Sequence, residues 1–131
     1  TDSSVLGLIS YSETEFYREA DIKRAIKRAI EYIINAQGTD GSWYGSWGIC
    51  YTYAGMFALE ALSHVGQYYH NSDVVRKGCD FLVKRQLADG GWGETMRASE
   101  THTYISSKKS LVVQTAWVVI ALLLSSILTM K

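Results

Sequence analysis

Two stretches of this chain repeat a single pattern of residues. They read Gln37-Gly-Thr-Asp-Gly-Ser-Trp43 and Gln86-Leu-Ala-Asp-Gly-Gly-Trp92, and the second lies 49 residues after the first, counted from Gln37 to Gln86. Each closes a run with helical spacing that carries basic residues. A pattern that recurs at a fixed offset predicts a repeat architecture, in which one unit of secondary structure packs against a second copy of itself.

Helical patterns of two kinds alternate along the first half of the chain. From Asp21, a residue type that caps helices, apolar residues recur at helical spacing up to Gln37, with lysines and arginines between them. This pattern predicts an amphipathic helix with one face in solvent. Residues 51–65 are apolar almost all round, which predicts a helix that is buried on most sides.

The same order of helices returns in the second half. The sequence Asn71-Ser72-Asp73 predicts the cap of a second amphipathic helix, which closes at Gln86. Residues 111–128 are again apolar nearly all round and predict a second buried helix. Before the first repeat, residues 1–11 resemble the end of an apolar helix, and the polar residues 12–20 predict a loop or a lead-in to the next helix.

Between the second repeat and the last helix lies a polar loop, residues 94–109. It is longer than most loops of a compact domain, and loops of that length are often functional. Its polar residues include Glu94, Glu100, His102 and Tyr104. A His–Glu neighbourhood can perform acid–base chemistry, but loops carry many charges for solubility alone, so the pattern assigns no catalytic residue here.

The alternation of solvent-facing and buried helices predicts the fold class. A double ring of helices requires it, because the outer ring meets water and the inner ring packs between the outer ring and a central cavity. We therefore expect an all-α fold, part of an α/α barrel or toroid. Two helical hairpins cannot close such a ring, so residues 1–131 are expected to form a fragment of one.

Composition excludes several classes of function. Lysine plus arginine and aspartate plus glutamate number 13 each, so there is no basic excess that would favour a nucleic-acid partner. Cys50 and Cys79 fit neither a disulfide framework nor a metal-binding pair, which favours a reduced, intracellular setting. Motifs for a catalytic triad, a phosphate loop or a metal site do not stand out in the sequence.

Both repeats extend further towards the amino terminus. The longer patterns are Arg28-Ala29-x2-Tyr32-Ile33-x3-Gln37-x3-Gly41-x-Trp43 and Arg76-Lys77-Gly78-x2-Phe81-Leu82-x3-Gln86-x3-Gly90-x-Trp92. They resemble the QW repeat of the triterpene cyclases, which include squalene-hopene and oxidosqualene cyclases. Residues 40–62, 75–82 and 109–117 look most like the fungal lanosterol synthases within that family. The resemblance places two QW repeats at about residues 27–43 and 76–92 and covers nearly the whole chain.

The resemblance implies a structural role for the repeats themselves. In the family, the Gln side chain bonds to the backbone at a neighbouring helix end and the Trp ring packs against it. Carried over, these residues are Gln37, Trp43, Gln86 and Trp92. An amide can satisfy free groups at a helix terminus, and a Trp ring buries a large area.

Other residues are implied to contact the substrate. The second Trp of the family's Gly-Ser-Trp-Gly segment lies on the cavity wall, and the Tyr six residues later sits close to the catalytic acid. Carried over, these are Trp47 and Tyr53, with Cys50 as a third candidate. Aromatic faces suit a reaction that passes through carbocations, because each stabilises a cation by about 0.5–2 kcal/mol. Without the resemblance, both would be interpreted as ordinary core aromatics.

The family's chemistry sets the expected substrate and location. The resemblance implies protonation of the epoxide of 2,3-oxidosqualene, cation-driven ring closure and a final proton loss, with no cofactor. It further implies peripheral membrane association, at the endoplasmic reticulum membrane or a lipid droplet, and no nucleic acid. Residues 111–128 also reach the minimum apolar length of a membrane span, but their agreement with an inner helix of the family favours the buried helix.

One departure from the family concerns catalysis. The family's catalytic acid lies in an Asp-Cys-Thr-Ala-Glu type of segment, and this sequence has none. We therefore assign no catalytic residue and expect the 131-residue chain to be inactive by itself, so that sterol formation by the purified chain would contradict this. Two alternatives stay open: a non-enzymatic helical remnant, and part of a toroid like the protein prenyltransferase β-subunit, which would need a zinc site.

Overall fold

The computed structural model describes residues 2–14 and 18–126 of the chain. Its helices are α1 (Asp2–Thr14), α2 (Glu19–Asn35), α3 (Thr52–His64), α4 (Asp73–Val83), α5 (Arg97–Thr101) and α6 (Val112–Ser126). Within these described ranges, the only extended pairing is an isolated antiparallel bridge between Glu94 and Ser106.

The helices form two layers. Helix α3 lies between α1 and α6, and these three form the inner layer. Helix α2 covers α1 and α3 from the outside, while α4 covers α3 and α6. Outer and inner helices thus alternate along the chain, which confirms the predicted all-α class of a partial toroid.

Burial follows the layers. Nine of the thirteen residues of α3 are buried, because α3 has α1, α2, α4 and α6 as neighbours. The outer helix α2 buries only one stripe, formed by Ile22, Ile30 and Ile33. The core between the layers centres on Leu59, Leu62 and Leu82, whose side chains are fully buried. The two kinds of helix therefore differ in the way that their sequence patterns predict.

The start of α2 differs from the prediction. The helix begins at Glu19, and its capping position is Arg18, which has a left-handed backbone (φ 55°) and no side-chain cap. The predicted cap Asp21 instead lies in the first turn, where its carboxylate accepts hydrogen bonds from Arg18 (2.9 Å) and Arg24. An acidic residue is favourable there because the helix dipole is positive at this end. Residues 12–20 are predicted as a loop or a lead-in to the next helix; residues 12–14 belong to α1 and residues 19 and 20 to α2, while residues 15–17 lie outside the described ranges.

The start of α4 agrees with the prediction. Ser72 occupies the capping position with an extended backbone, and its hydroxyl accepts a hydrogen bond from the N–H of Val75 at 3.4 Å. Ser72 is followed by Asp73 in the first turn. The predicted cap at residues 71–73 is confirmed.

Two predictions for the second half need correction. The polar loop of residues 94–109 is not free of structure, since it contains α5 and the bridge between Glu94 and Ser106. Helix α6 is not buried on all sides: α3 and α4 cover one face, while the other exposes Val112, Val113, Val119, Ile120 and Leu123. Residues 127 and 128 of the predicted helix lie outside the described ranges. In the part of the chain that the structure describes, the helices fall short of the length and apolarity that crossing a membrane requires.

Candidate functional site

The two repeated Trp residues make the same contact. The ring N–H of Trp43 donates to the carbonyl oxygen of Ile33 at 2.8 Å, and that of Trp92 donates to the carbonyl oxygen of Leu82 at 2.7 Å. Each acceptor lies ten residues before its Trp, near the end of the preceding outer helix. Both rings are buried, so each Trp attaches its turn to the outer helix that precedes it.

The two repeated Gln residues share one contact and differ in another. The side-chain amides of Gln37 and Gln86 donate to the carbonyl oxygens of Gly41 (3.0 Å) and Gly90 (2.7 Å) in their own turns. Gln37 also donates to the carbonyl oxygen of Val74 at 2.8 Å, in the first turn of α4. The first repeat is thereby joined to the second. These contacts are of the structural kind that the family resemblance implies.

The first turn and α4 approach each other closely. A Cβ added to Gly78 would lie 2.6 Å from the Trp43 ring, and one added to Gly41 would lie 2.3 Å from the carbonyl oxygen of Lys77. Neither position can accept a side chain without movement of a ring or of the backbone. The first repeat therefore packs directly against the second outer helix.

A cavity of about 470 Å³ lies where this turn leads into α3. We call it the Trp47 cavity. Its aromatic lining residues are Tyr32, Trp43, Tyr44, Trp47, Tyr53 and Phe57. None of the twelve described residues that line it carries a formal charge. The predicted residues Trp47 and Tyr53 share this cavity, whereas Cys50 is not part of its lining.

The loop before α3 is folded onto the Tyr53 side chain. The backbone N–H of Trp47 donates to the Tyr53 hydroxyl at 3.2 Å. Gly45 packs so tightly against the phenol that an added Cβ would lie 2.2 Å from its oxygen. The loop is closed by a hydrogen bond from the N–H of Gly45 to the carbonyl oxygen of Cys50, at 2.9 Å. The Trp47 side chain itself is 83% exposed.

Tyr53 is the centre of an aromatic group that joins two inner helices. Its ring makes edge-to-face contacts with Phe57 (6.3 Å between centroids) and with Trp117 of α6 (6.2 Å). Sequence reasoning missed both partners. Phe57 follows Tyr53 by one helical turn, so helical spacing could have found it. Trp117 comes from another helix, and no local pattern signals its contact with Tyr53.

Cys50 lies behind the cavity. It is fully buried, and its thiol points towards the carbonyl oxygen of Gly48 at 3.7 Å. Burial raises the pKa of the Cys50 thiol, and burial also raises the pKa of the Tyr53 hydroxyl. Both groups therefore stay neutral at neutral pH.

Glu94 is buried beside the start of α3, with 1% of its surface exposed. Its carboxylate accepts hydrogen bonds from the backbone N–H groups of Cys50, Tyr51 (2.9 and 3.1 Å) and Thr52 (3.0 Å). Burial raises the pKa of Glu94, and the three N–H donors oppose that effect only in part. In the sequence, Glu94 stands out only as a polar loop residue, so its burial and its bonds to α3 were missed.

The other polar residues of the loop do not gather around Glu94. Glu100 is exposed, and the His102 ring lies 4.7 Å from the ring of Tyr44. Tyr104 packs beside Arg85, whose guanidinium lies 5.1 Å from its ring centroid, and burial raises the pKa of Tyr104 to about 12. Arg85 also pairs with Asp40 of the first turn at 3.8 Å. The loop is thus in contact with Arg85 of the second repeat, which in turn pairs with the first turn.

Comparison with known proteins identifies the family. The squalene-hopene cyclase C-terminal domain matches residues 4–130, nearly the whole chain. The chain belongs to this family. The predicted resemblance to the triterpene cyclases is confirmed.

Three similar relatives are lanosterol synthases. The chain is 64% identical to that of Saccharomyces cerevisiae over 94% of its own length, 55% identical to that of Candida albicans over 96%, and 38% identical to that of Homo sapiens over 92%. These matches cover only 17%, 18% and 17% of the relatives. The chain therefore spans a small part of the length of the curated relatives that it matches.

Membership in the cyclase family leaves the individual site residues as predictions. Trp47, Tyr53 and Cys50 stay candidates for substrate binding, and Gln37, Trp43, Gln86 and Trp92 stay candidates for a structural role. The geometry adds three further candidates. Phe57 and Trp117 are candidates because their rings contact Tyr53, and Glu94 is one because it binds the start of α3. Within the described ranges, no three His, Cys, Asp or Glu side chains are grouped as metal ligands would be.

Proposed function

We propose that this chain is the part of a lanosterol-synthase-like oxidosqualene cyclase that supplies one aromatic wall of the substrate cavity. The observation that carries the proposal is the uncharged Trp47 cavity, with Tyr53 in contact with both Trp47 and Trp117 at its edge. The high identity to lanosterol synthases over nearly the whole chain supports the same assignment.

The chemistry of the proposed reaction explains the residue types. The substrate, 2,3-oxidosqualene, is protonated on its epoxide oxygen, the carbon–oxygen bond opens, and the resulting carbocation is captured by successive double bonds until a proton is lost. Aromatic faces stabilise each cation by about 0.5–2 kcal/mol, and by more where water is excluded. A lysine or arginine on the wall would repel the cation, and the lining has neither. The proton donor comes from another part of the parent enzyme.

The proposed substrate also suggests a location. Oxidosqualene is almost entirely hydrocarbon and partitions into lipid, so a cyclase that takes it up benefits from binding a membrane surface. We place the parent enzyme at the endoplasmic reticulum membrane or a lipid droplet, as a peripheral protein. Fractionation of cells that express the full-length protein tests this, and recovery in the soluble fraction alone would contradict it.

A chimera tests the function. This chain replaces the matched segment of the S. cerevisiae lanosterol synthase, where 64% identity favours correct folding. We expect the chimera to convert 2,3-oxidosqualene to lanosterol. The matched control carries Y53A in the same chimera and should lose most of this activity. A chimera that folds and yet forms no cyclised product would overturn the proposal and favour a non-enzymatic remnant.

A further inference from the structure

Glu94 lies at the junction of two inner helices. It follows the second repeat by two residues and is buried next to the amino-terminal ends of both α3 and α6. Its side chain is hydrogen-bonded to the start of α3, and its backbone is hydrogen-bonded to the start of α6. No other described carboxylate of the chain is buried to this extent.

The side chain holds the start of α3. Three successive backbone N–H groups, those of Cys50, Tyr51 and Thr52, donate to the two carboxylate oxygens. The first N–H groups of a helix have no partner within the helix, so a buried carboxylate can satisfy them and is stabilised there by the helix dipole. Tyr53 is the next residue of α3. Its backbone position therefore depends directly on these bonds.

The backbone of Glu94 holds the start of α6. Its N–H donates to the side-chain oxygen of Gln114 at 2.5 Å, and its carbonyl oxygen accepts from the side-chain amide of Gln114 at 3.1 Å. Gln114 is buried and lies in the first turn of α6. Trp117 follows it by one turn. The two hydrogen bonds fix both the height and the rotation of α6 relative to Glu94.

We propose that Glu94 is a positioning residue that sets the relative placement of Tyr53 and Trp117, and thereby the shape of the cation-binding wall. The effect on the cation-binding wall rests on the proposed function. The placement of Tyr53 and Trp117 by Glu94 rests on the hydrogen bonds alone. Tyr53 and Trp117 come from different helices and make an edge-to-face contact at 6.2 Å. One residue, Glu94, is bonded to the start of both helices.

A direct role in proton transfer does not fit Glu94. Its carboxylate oxygens are occupied by backbone donors, and it does not line the Trp47 cavity. It acts instead through α3 and α6. A shift of the aromatic rings would expose the growing cation to early capture or proton loss, so the proportions of products report on positioning.

The experiment compares E94Q and E94D with the control E100Q, which changes an exposed carboxylate of the same loop. Hydrogen–deuterium exchange is measured on the 131-residue chain, with peptides that cover residues 48–56 and 74–83. In E94Q we expect the amides of Cys50, Tyr51 and Thr52 to exchange about tenfold faster or more, the effect of losing a charge-assisted hydrogen bond. The α4 peptide and the E100Q variant should exchange at the parental rate. In E94D, which keeps the charge, the exchange rate of these amides should lie between those of the parental chain and E94Q.

Activity is measured on the same variants in the chimera. E94Q should raise the ratio of partially cyclised to fully cyclised products, a quantity that does not depend on how much enzyme is folded. An unchanged exchange rate at residues 50–52 in E94Q and E94D, or an unchanged product ratio beside faster exchange, would overturn the proposal. If the unmodified chimera forms no product, the proposed function fails, and the exchange measurement still decides the structural part.

Discussion

Trp43 and Trp47 are near neighbours in sequence with opposite surroundings. Trp43 is 5% exposed and donates to the carbonyl oxygen of Ile33, whereas Trp47 is 83% exposed and contributes to the wall of a cavity. One ring stabilises the fold, and the other is available to a ligand. Their sequence context, a Gly-Ser-Trp triplet in each case, does not distinguish them.

This contrast predicts the effects of two alanine substitutions. W43A should lower the free energy of unfolding by about 3–5 kcal/mol, because it empties a buried site. W47A should change it by no more than about 0.5 kcal/mol, as usual for exposed positions. Urea denaturation followed by circular dichroism measures both.

The variants W43A and W47A, placed in the chimera, distinguish a loss of stability from a loss of substrate binding. W47A should reduce cyclisation by roughly tenfold at unchanged stability, which corresponds to the upper range of a single cation–π contact. If W47A keeps full activity, Trp47 has no part in substrate binding. W43A serves as the comparison whose loss of activity follows its loss of stability.

Two threonines near the starts of the inner helices α3 and α6 form a second contrast. The Thr115 hydroxyl accepts from the N–H of Trp92 at 2.9 Å and donates to its carbonyl oxygen at 3.2 Å. The Thr52 hydroxyl is buried and has no hydrogen-bond partner among the described residues. T115V should therefore cost about 1–3 kcal/mol, while T52V should be neutral or stabilising. Thermal denaturation of the two variants checks this, and equal effects would contradict it.

At the scale of elements, the two turns offer a matched comparison. Gly41 and Gly90 both have positive φ angles, 91° and 89°. Only Gly41 faces another helix, since an added Cβ there would clash with the carbonyl oxygen of Lys77, whereas nothing lies within 4 Å of a Cβ on Gly90. The two turns therefore have the same backbone conformation but different packing around the glycine.

This predicts unequal costs for two alanine substitutions. G90A should lower the free energy of unfolding by about 1–2 kcal/mol through backbone strain alone. G41A should cost roughly 1–3 kcal/mol more, because the turn must move away from α4. Denaturant titration of both variants measures the difference. Equal losses would mean that the contact between the first turn and α4 adds no stability.

The elements were largely predictable because their signals are local. The helical spacing of α2, the Ser72 cap of α4 and the repeated turns can be read within a few residues. Asp21 misled because an acidic residue in the first turn of a helix resembles a cap. The roles of Glu94 and Trp117 could not be found in this way, because they depend on partners in other helices, distant in sequence.

At the scale of the whole molecule, Glu94 should couple stability to pH. Burial raises the pKa of its carboxyl above the ordinary range, so the folded chain binds this proton more tightly than the unfolded chain does. The resulting stabilisation is complete below the pKa of the unfolded chain and is lost as the pH rises through the folded pKa. The neighbouring Tyr51 and Tyr104 hydroxyls, whose pKa values are raised by burial, stay neutral over this range.

The measurement is the free energy of unfolding between about pH 4 and 7, where carboxyl groups titrate. Asp21, Asp40 and Asp89, whose pKa values are lowered, contribute stability that increases with pH only at the acid end of this range, and they do so in every variant. In the control E100Q, the contribution of Glu94 to the free energy of unfolding should still decrease as the pH rises. In E94Q this decrease should be absent. Parallel curves for the two variants would contradict the assignment.

The bond between Gln37 and Val74 has a consequence for how the molecule holds together. In repeat proteins, stability is approximately the sum of the intrinsic stability of each unit and a coupling energy between nearest neighbours. This hydrogen bond and the close approach of Gly41 to Lys77 belong to the coupling energy, not to either unit. Local opening of α4 therefore withdraws support from the turn before it, and fluctuations should spread from the second repeat into the first.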